Sequence, residues 1–514
     1  MTSTAPPQAR TSPRPGSHPA GDSRWWVDAV ALLVVAVVAG WLRSEALGPS
    51  SLWLDDAWVA LASRTDGLTE LRYVGFAAPG FVVMLRGWFD LVGFSETTAQ
   101  ALPFAAGVIA PATAYLVGRR MAWHRAAALV PAIVLVFSPM AMEQATRVKQ
   151  YTIESVLALG LLAVALYLLA DVRSGRRWAT FVAAAALATT VSAFLAPYAA
   201  AGVGAGLTLA LSGRDRVAVR NGLVAGVAYG AAAGAWYLVV LAPAVTSSIS
   251  SFWSEHFLVV TEGAGPALAS LRDAAVGVAG GLVSVPPAVT VVALVAAVLV
   301  LALHRPEHAV LLVTPLAVAV ALAVLQLAPL GGGRTDVYLY PALALLLGGA
   351  AQALVVALPR GTGWAVPLVV TAALAGLAEP VTPYPVQDVR PLVDVLEDEQ
   401  SPGDAVVLYP ATIWAYALYT SGDIALEPDA RSSWGFAPRF ADPSVHPLPP
   451  GRDDPDAYLP TVTRVTGDVE RIWLLASHRR ADHAELEQQL RDAGFEQRDL
   501  LQREGAWLGR WERS

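Results

Sequence analysis

Apolar residues come in long unbroken blocks separated by short charged segments. Blocks of membrane-spanning length lie at 27–43, 99–118, 124–142, 152–171, 178–194, 197–212, 221–243, 283–303, 308–328, 337–357 and 364–380. A helix needs roughly 20 apolar residues to cross a bilayer, so the pattern predicts about eleven spans. A further block, 76–94, carries Arg86 and Asp90 among its apolar residues. A charge at the bilayer centre costs about 2.5–3.5 kcal/mol even on a lenient scale, so this block is read as a helix lying along the interface. Beyond residue 380 the pattern changes. Pro380, Pro383 and Pro385 mark a linker, 404–409 (DAVVLY) and 471–476 (RIWLLA) read as buried strands, and 412–419 reads as a helix. Residues 481–493 form an amphipathic pattern closed by Gly494. The stretch 423–460, rich in Pro and Asp, reads as long loops. The predicted fold class is an α-helical polytopic membrane protein: a tail over 1–24 without structure, a membrane body over 25–380, and an α/β domain over 381–514.

Loop charges assign the sides. With 76–94 left out of the bilayer, the alternate loops carry Arg10, Arg14 and Arg24, then Arg119, Arg120 and Arg125, then Arg173, Arg176 and Arg177, then Arg214, Arg216 and Arg220, then Arg305, then Arg360. All fall on one side, which the positive-inside rule makes cytoplasmic. The opposite segments, 44–98, 143–151, 195–196, 244–282, 329–336 and everything after 380, then face out as loops and the terminal domain.

Composition agrees. The chain of 514 residues is 55% hydrophobic and 15% charged, with a mean hydropathy of +0.50, against about 25% charged in soluble domains. The net charge of −7 sits largely in loops and in the last third, and nothing points to nucleic acid. With no Cys, thiolate catalysis and disulfides are excluded. There is no Walker motif, GxGxxG or GxSxG, so nucleotide-driven transport lacks support.

The outward segments hold the unusual residues. Ser51–Trp58 (SLWLDDAW) sets Asp55 and Asp56 side by side among Trp and Leu. A carboxylate against an apolar wall suits proton abstraction from a hydroxyl, although two solvated acids, or an acid capping a helix, would look the same. Residues 138–151 (SPMAMEQATRVKQY) carry Arg147, Tyr151 and Lys149, the only lysine in the chain. Arg147 and Lys149 could hold a phosphate or snorkel at an interface. Gly331–Pro341 (GGGRTDVYLYP) places Arg334 and Tyr338 after three glycines, where a lipid headgroup would lie; an ordinary flexible turn fits equally. Trp253, Glu255 and His256 in FWSEHF could line a sugar site or belong to an aromatic belt. No second His in metal-ligand spacing accompanies His256.

Taken together, these positions resemble the polytopic glycosyltransferases of the GT-C type, the class that includes protein O-mannosyltransferases, the aminoarabinose transferases of lipid A and the RgtA/B/C/D-like bacterial family. The resemblance rests on SLWLDDAW, on APGFVVMLRGWFDLVG (Ala78–Gly93), on the segment ending RVKQY and on GRTDVYLYP. It covers the first 200 residues well and the later spans loosely, and the tail looks like the extracytoplasmic domain of some bacterial members. It implies a GT-C-like body of about eleven spans in a bacterial plasma membrane, with its site and C-terminal domain outside. Asp55 would then be the catalytic base, with Asp56 where relatives usually show Glu. The donor would be a sugar on a polyprenyl phosphate, transferred with inversion to a hydroxyl of a glycan, lipid or protein in cell-envelope assembly. Arg147, Lys149 and Arg334 would meet the departing phosphate. The resemblance leaves open whether a divalent cation assists: Asp55 and Asp56 could hold one with His256, although some relatives need none. The chain departs from the pattern at Gln100-Ala101-Leu102-Pro103, where many relatives have Arg before Leu-Pro. The competing function is a lipid or solute transporter or flippase, whose signs would be matched halves and charges at span midplanes; neither is visible.

Overall fold

A computed structural model describes residues 25–45, 47–48, 51–64, 78–244, 252–378, 387–428, 436–449, 455–478 and 483–514. The membrane body is built from α1 (Trp25–Ser44), α2 (Leu54–Ala62), α3 (Pro79–Val92), α4 (Glu96–Arg120), α5 (Arg125–Val136), α6 (Pro139–Gln144), α7 (Tyr151–Leu169), α8 (Gly175–Val191), α9 (Ala196–Ser212), α10 (Arg216–Trp236), α11 (Ala264–Leu282), α12 (Pro287–His304), α13 (Pro306–Val324), α14 (Tyr340–Ala357) and α15 (Ala365–Leu377). Among the described residues, eight helical segments are long and apolar enough to cross a bilayer. The other three predicted spans, at α5, α8 and α15, are shorter helices of 12, 17 and 13 residues. The chain is a multi-pass membrane protein. Many apolar side chains, such as Leu33, Val227 and Leu303, lie exposed on the bundle's rim, as lipid-facing helices require.

Two local readings change. The block 124–142 is not one helix: α5 stops at Val136, and Ser138 caps a new short helix that Pro139 opens, since proline suits a first turn and not an interior. Arg43 at the end of α1 is fully buried and donates to the freed carbonyls of Leu135 (2.9 Å) and Val136 (3.4 Å). The second change is in 244–282, expected to be a loop, which contains the 19-residue α11; Arg272 and Asp273 interrupt its apolar run and hid it. Helix α3, in the block left out of the bilayer, has 14 residues that reach only about 21 Å at 1.5 Å per residue, short of the roughly 30 Å of a hydrocarbon core. Gly80 lets α3 press on the end of α8, where a Cβ would stand 2.5 Å from the Thr190 carbonyl.

The C-terminal domain comprises α16 (Arg390–Glu399), β1 (Ala405–Leu408), α17 (Ile413–Tyr419), β2 (Ile424–Pro428), β3 (Phe436–Phe440), β4 (Val445–Pro447), α18 (Leu459–Asp468), β5 (Arg471–Ser477), α19 (His483–Asp492), β6 (Phe495–Arg503) and β7 (Ala506–Arg513). One sheet runs β4-β1-β5-β7-β6; β1 is parallel to β4 and β5, and β5-β7-β6 is antiparallel. A second sheet pairs β2 with β3. The expected strands and helices at 404–419 and 471–493 are present. The stretch 423–460 is not loop alone: it holds β2, β3 and β4.

The domain and the membrane body share one hydrophobic core. The α2 helix lies between them with all nine residues buried. Tyr419 Oη accepts the Leu52 N–H at 2.7 Å, Ser51 Oγ donates to Asp388 at 2.8 Å, and the ring of Phe436 stacks on Trp58 with centroids 6.0 Å apart. Arg390 pairs with Glu96 at the start of α4 at 2.9 Å.

Candidate active site

Three segments distant in sequence meet where α2 is buried: α2 itself, the irregular loop 145–150 between α6 and α7, and the glycine loop 331–334 before α14. The ends of the surrounding helices are tied together there. Thr152 Oγ1 donates to the Pro103 carbonyl at 2.8 Å, and Ser155 Oγ to that of Val337 at 3.2 Å.

Asp55 and Asp56 occupy the first turn of α2, where the positive end of the helix dipole favours anions. Trp53 supplies no side-chain cap. The Leu54 N–H is instead accepted by Gln387 Oε1 of the C-terminal domain at 3.3 Å. Arg334 Nη1 lies 2.7 Å from Asp55 Oδ2, and Lys149 Nζ lies 3.9 Å from the same oxygen. Asp56 takes Arg147 Nε at 3.0 Å and the backbone N–H of Val148 at 3.1 Å. Each cation also covers an indole: Arg147 over Trp53 (4.6 Å), Lys149 over Trp58 (4.9 Å) and Arg334 over Trp253 (5.6 Å). Such cation–π contacts hold a charge in place while adding only weak attraction.

These contacts separate the two acids electrically. Burial pushes the Asp55 carboxyl up, but Lys149, Arg334 and Arg147 more than offset it and hold Asp55 below its ordinary range. Burial pushes Asp56 up, against Arg147 and Lys149, and the neighbouring Asp55 charge adds to the rise. Burial brings the Lys149 ammonium down to about 8, against the pull of Asp55.

The segment at 252–258 joins the same edge. Trp253 reaches Arg334, its ring lies 5.7 Å from that of His256, and a Cβ on Gly332 would stand 3.0 Å from Trp253 and 3.5 Å from His256. Tyr151 is buried in the first turn of α7. Tyr338 and Glu255 stand apart from the cluster. The Tyr338 ring is buried against Phe194 (5.3 Å) and its carbonyl accepts from Tyr198 at 2.6 Å, while Glu255 is exposed on a short turn. Sequence reasoning passed over the roles of Trp53 and Trp58 as floors for the cations. It also passed over Glu143, a half-buried acid near Arg147 and Arg334 whose carboxyl burial raises. The signal available was proximity in sequence: each lies within six residues of a named charge.

A divalent cation held by Asp55, Asp56 and His256 does not fit. Among the described residues no three His, Asp or Glu side chains gather as ligands, and the acid pair already faces three cationic side chains.

No known family and no curated protein matches the chain by sequence. As a fold it aligns with ArnT from Cupriavidus metallidurans in the apo state at 13% identity, over 95% of this chain and 98% of that one, with a TM-score of 0.53. The form of ArnT bound to undecaprenyl phosphate gives 13% identity, the same coverage and a TM-score of 0.52. The archaeal oligosaccharyltransferase AglB from Archaeoglobus fulgidus, in complex with an inhibitory peptide and a dolichol-phosphate, aligns at 12% identity over 88% of this chain and 70% of that one, with a TM-score of 0.51. The chain thus has the GT-C-type fold, a polytopic helical body carrying a C-terminal sheet domain.

Proposed function

We propose that this protein is a glycosyltransferase that takes a sugar from a polyprenyl-phosphate donor and passes it to a hydroxyl acceptor at the outer face of the plasma membrane. The observation that carries the reading is the convergence of Asp55, Lys149 and Arg334, from three separate segments, at one end of a membrane helix bundle. Proteins of the same fold have been captured with undecaprenyl phosphate and dolichol-phosphate, which supports a lipid-phosphate donor here.

In this reading the donor phosphate lies among Arg334, Lys149 and Arg147. The acceptor oxygen attacks the anomeric carbon and the bond from that carbon to the phosphate oxygen breaks, its electron pair leaving with the phosphate. The acceptor proton goes to Asp55. Direct displacement inverts the anomeric centre. Preorganised cations aimed at the growing phosphate charge supply several kcal/mol. Without donor, Asp55 is clamped by Arg334 and Lys149 and is a weak base. A phosphate draws both cations toward itself and makes Asp55 more basic as the reaction is set up. The lipid chain anchors the donor in the bilayer, so no nucleotide fold is needed. The acceptor belongs to cell-envelope glycan or glycolipid assembly.

Incubation of the purified full chain with a panel of radiolabelled polyprenyl-phosphate sugars and a mixed envelope-glycan acceptor tests this reading. Transfer is expected from at least one lipid-phosphate sugar and none from nucleotide sugars. Transfer from nucleotide sugars alone would overturn it.

A further inference from the structure

We infer that Asp336 is a positioning residue that holds Arg334 against Asp55, an assignment that rests on the phosphate-binding reading of Arg334. Asp336 is fully buried, a costly place for a carboxyl group unless its oxygens are hydrogen-bonded. Arg334 is two residues away, yet among the described residues Asp336 pairs with no cation. Both its oxygens go to backbone: Oδ1 accepts the Gly331 N–H at 3.1 Å and Oδ2 the Gly333 N–H at 3.0 Å.

Those two bonds close the glycine loop into a fixed ring. Gly331 and Gly333 have φ of +82° and +72°, conformations that glycine adopts without steric cost. The loop is pinned from its other side by α11. A Cβ on Gly331 would stand 2.6 Å from the Ala274 Cα, and one on Gly277 would stand 2.5 Å from the Gly331 carbonyl oxygen. Arg334 follows directly on Gly333, so its backbone is set by this ring, while Trp253 and Asp55 set its head group. The ring fixes the backbone from which Arg334 extends, and its Nη1 lies 2.7 Å from Asp55 Oδ2. The residue that sequence reasoning passed over, lying between Arg334 and Tyr338, therefore aims the cation.

Asp336→Asn in the full chain in detergent tests this. Asn keeps one carbonyl acceptor but turns an NH2 toward the other backbone donor, so the ring opens on one side. Two measurements are made. In a thermal-stability double-mutant cycle, the coupling between Asp55→Asn and Arg334→Ala seen in the wild-type background is expected to shrink toward zero in the Asp336→Asn background. The affinity for undecaprenyl phosphate is expected to fall about tenfold, roughly 1.4 kcal/mol, and to fall no further when Asp336→Asn is added to Arg334→Ala. An Asp336 that only stabilises the fold would lower the melting temperature and leave the coupling intact; that result overturns the assignment. Equal loss of affinity in both backgrounds would overturn it too. If Asp336→Asn does not fold, Gly333→Ala opens the ring from the other end, because its methyl meets Met140 at 3.0 Å in a positive-φ position, and the same two outcomes apply. A wild-type chain that fails to bind undecaprenyl phosphate would remove the phosphate reading, while the stability cycle would still decide the role of Asp336.

Discussion

Asp55 and Asp56 are neighbours in the chain and face different parts of the molecule. Successive side chains on a helix diverge by about 100°, so Asp56 turns into the 145–150 loop and Asp55 turns toward the glycine loop. The Asp56 side is closed: both its oxygens are engaged by one short loop, and the side chains of Asp56 and Arg147 are 5% and 7% exposed. The Asp55 side is partly open, since the side chain of Arg334 is 25% exposed and Asp55 meets cations from two separate segments. The contrast separates a latch that fixes the 145–150 loop on α2 from a partly open edge, where the proposed donor phosphate would enter.

The largest expected effect is on the open side. Asp55→Asn should cut sugar transfer by about 10²–10⁴-fold, the range for loss of a general base, while the protein stays folded and membrane-inserted; retained transfer would show that another group takes the proton. Next comes the closed side. Arg147→Ala leaves Asp56 buried without its partner and should destabilise by about 3–5 kcal/mol, read as a large drop in melting temperature. A drop no larger than that of Arg334→Ala would erase the distinction between the two sides. Arg334→Ala should itself destabilise less than Arg147→Ala, because the Arg334 side chain is 25% exposed and Lys149 stays near Asp55, and should raise the KM for the lipid donor with a smaller change in acceptor KM. An unchanged donor KM would take Arg334 out of the phosphate site.

The smallest effect is one of pH. Lys149 loses its proton near 8 in the folded chain, against an ordinary value of 10.5. Between those values the unfolded chain holds a proton that the folded chain has released, so this group's contribution to stability rises with pH across that window. Phosphate affinity moves the other way, because the cation is lost: undecaprenyl phosphate should bind more weakly above about pH 8. Lys149→Arg stays charged and should flatten the profile; the same slope in both proteins would place the titrating group elsewhere.

Much of this was legible in the chain because membrane spans are written in a simple code of long apolar blocks. The acid pair, the solitary lysine and Arg334 were legible for the opposite reason, as charges at block ends where hydrophobicity alone would not place them. Helix α11 was hidden because Arg272 and Asp273 break its apolar run, although its other residues build the wall behind the glycine loop. Strand β6 was hidden because it is a mostly exposed edge strand carrying charges such as Arg498 and Asp499, which is how edge strands avoid pairing with other chains. Tyr338 drew attention by standing near Arg334 in sequence, but the tight turns of the 3₁₀ segment Arg334–Leu339 send its ring into the helical core. Spacing along the chain says little about direction where the backbone is irregular.

Helix α2 draws its cover from both halves of the protein. A chain ended after residue 378 would leave Trp58 without Phe436 and the backbone N–H groups of Leu52 and Leu54 without Tyr419 and Gln387. The sheet domain is thus no detachable accessory. Exchanging it for that of a distant homologue would succeed only if the incoming piece brought its own lid for the acid-bearing turn, so the two halves must change in step.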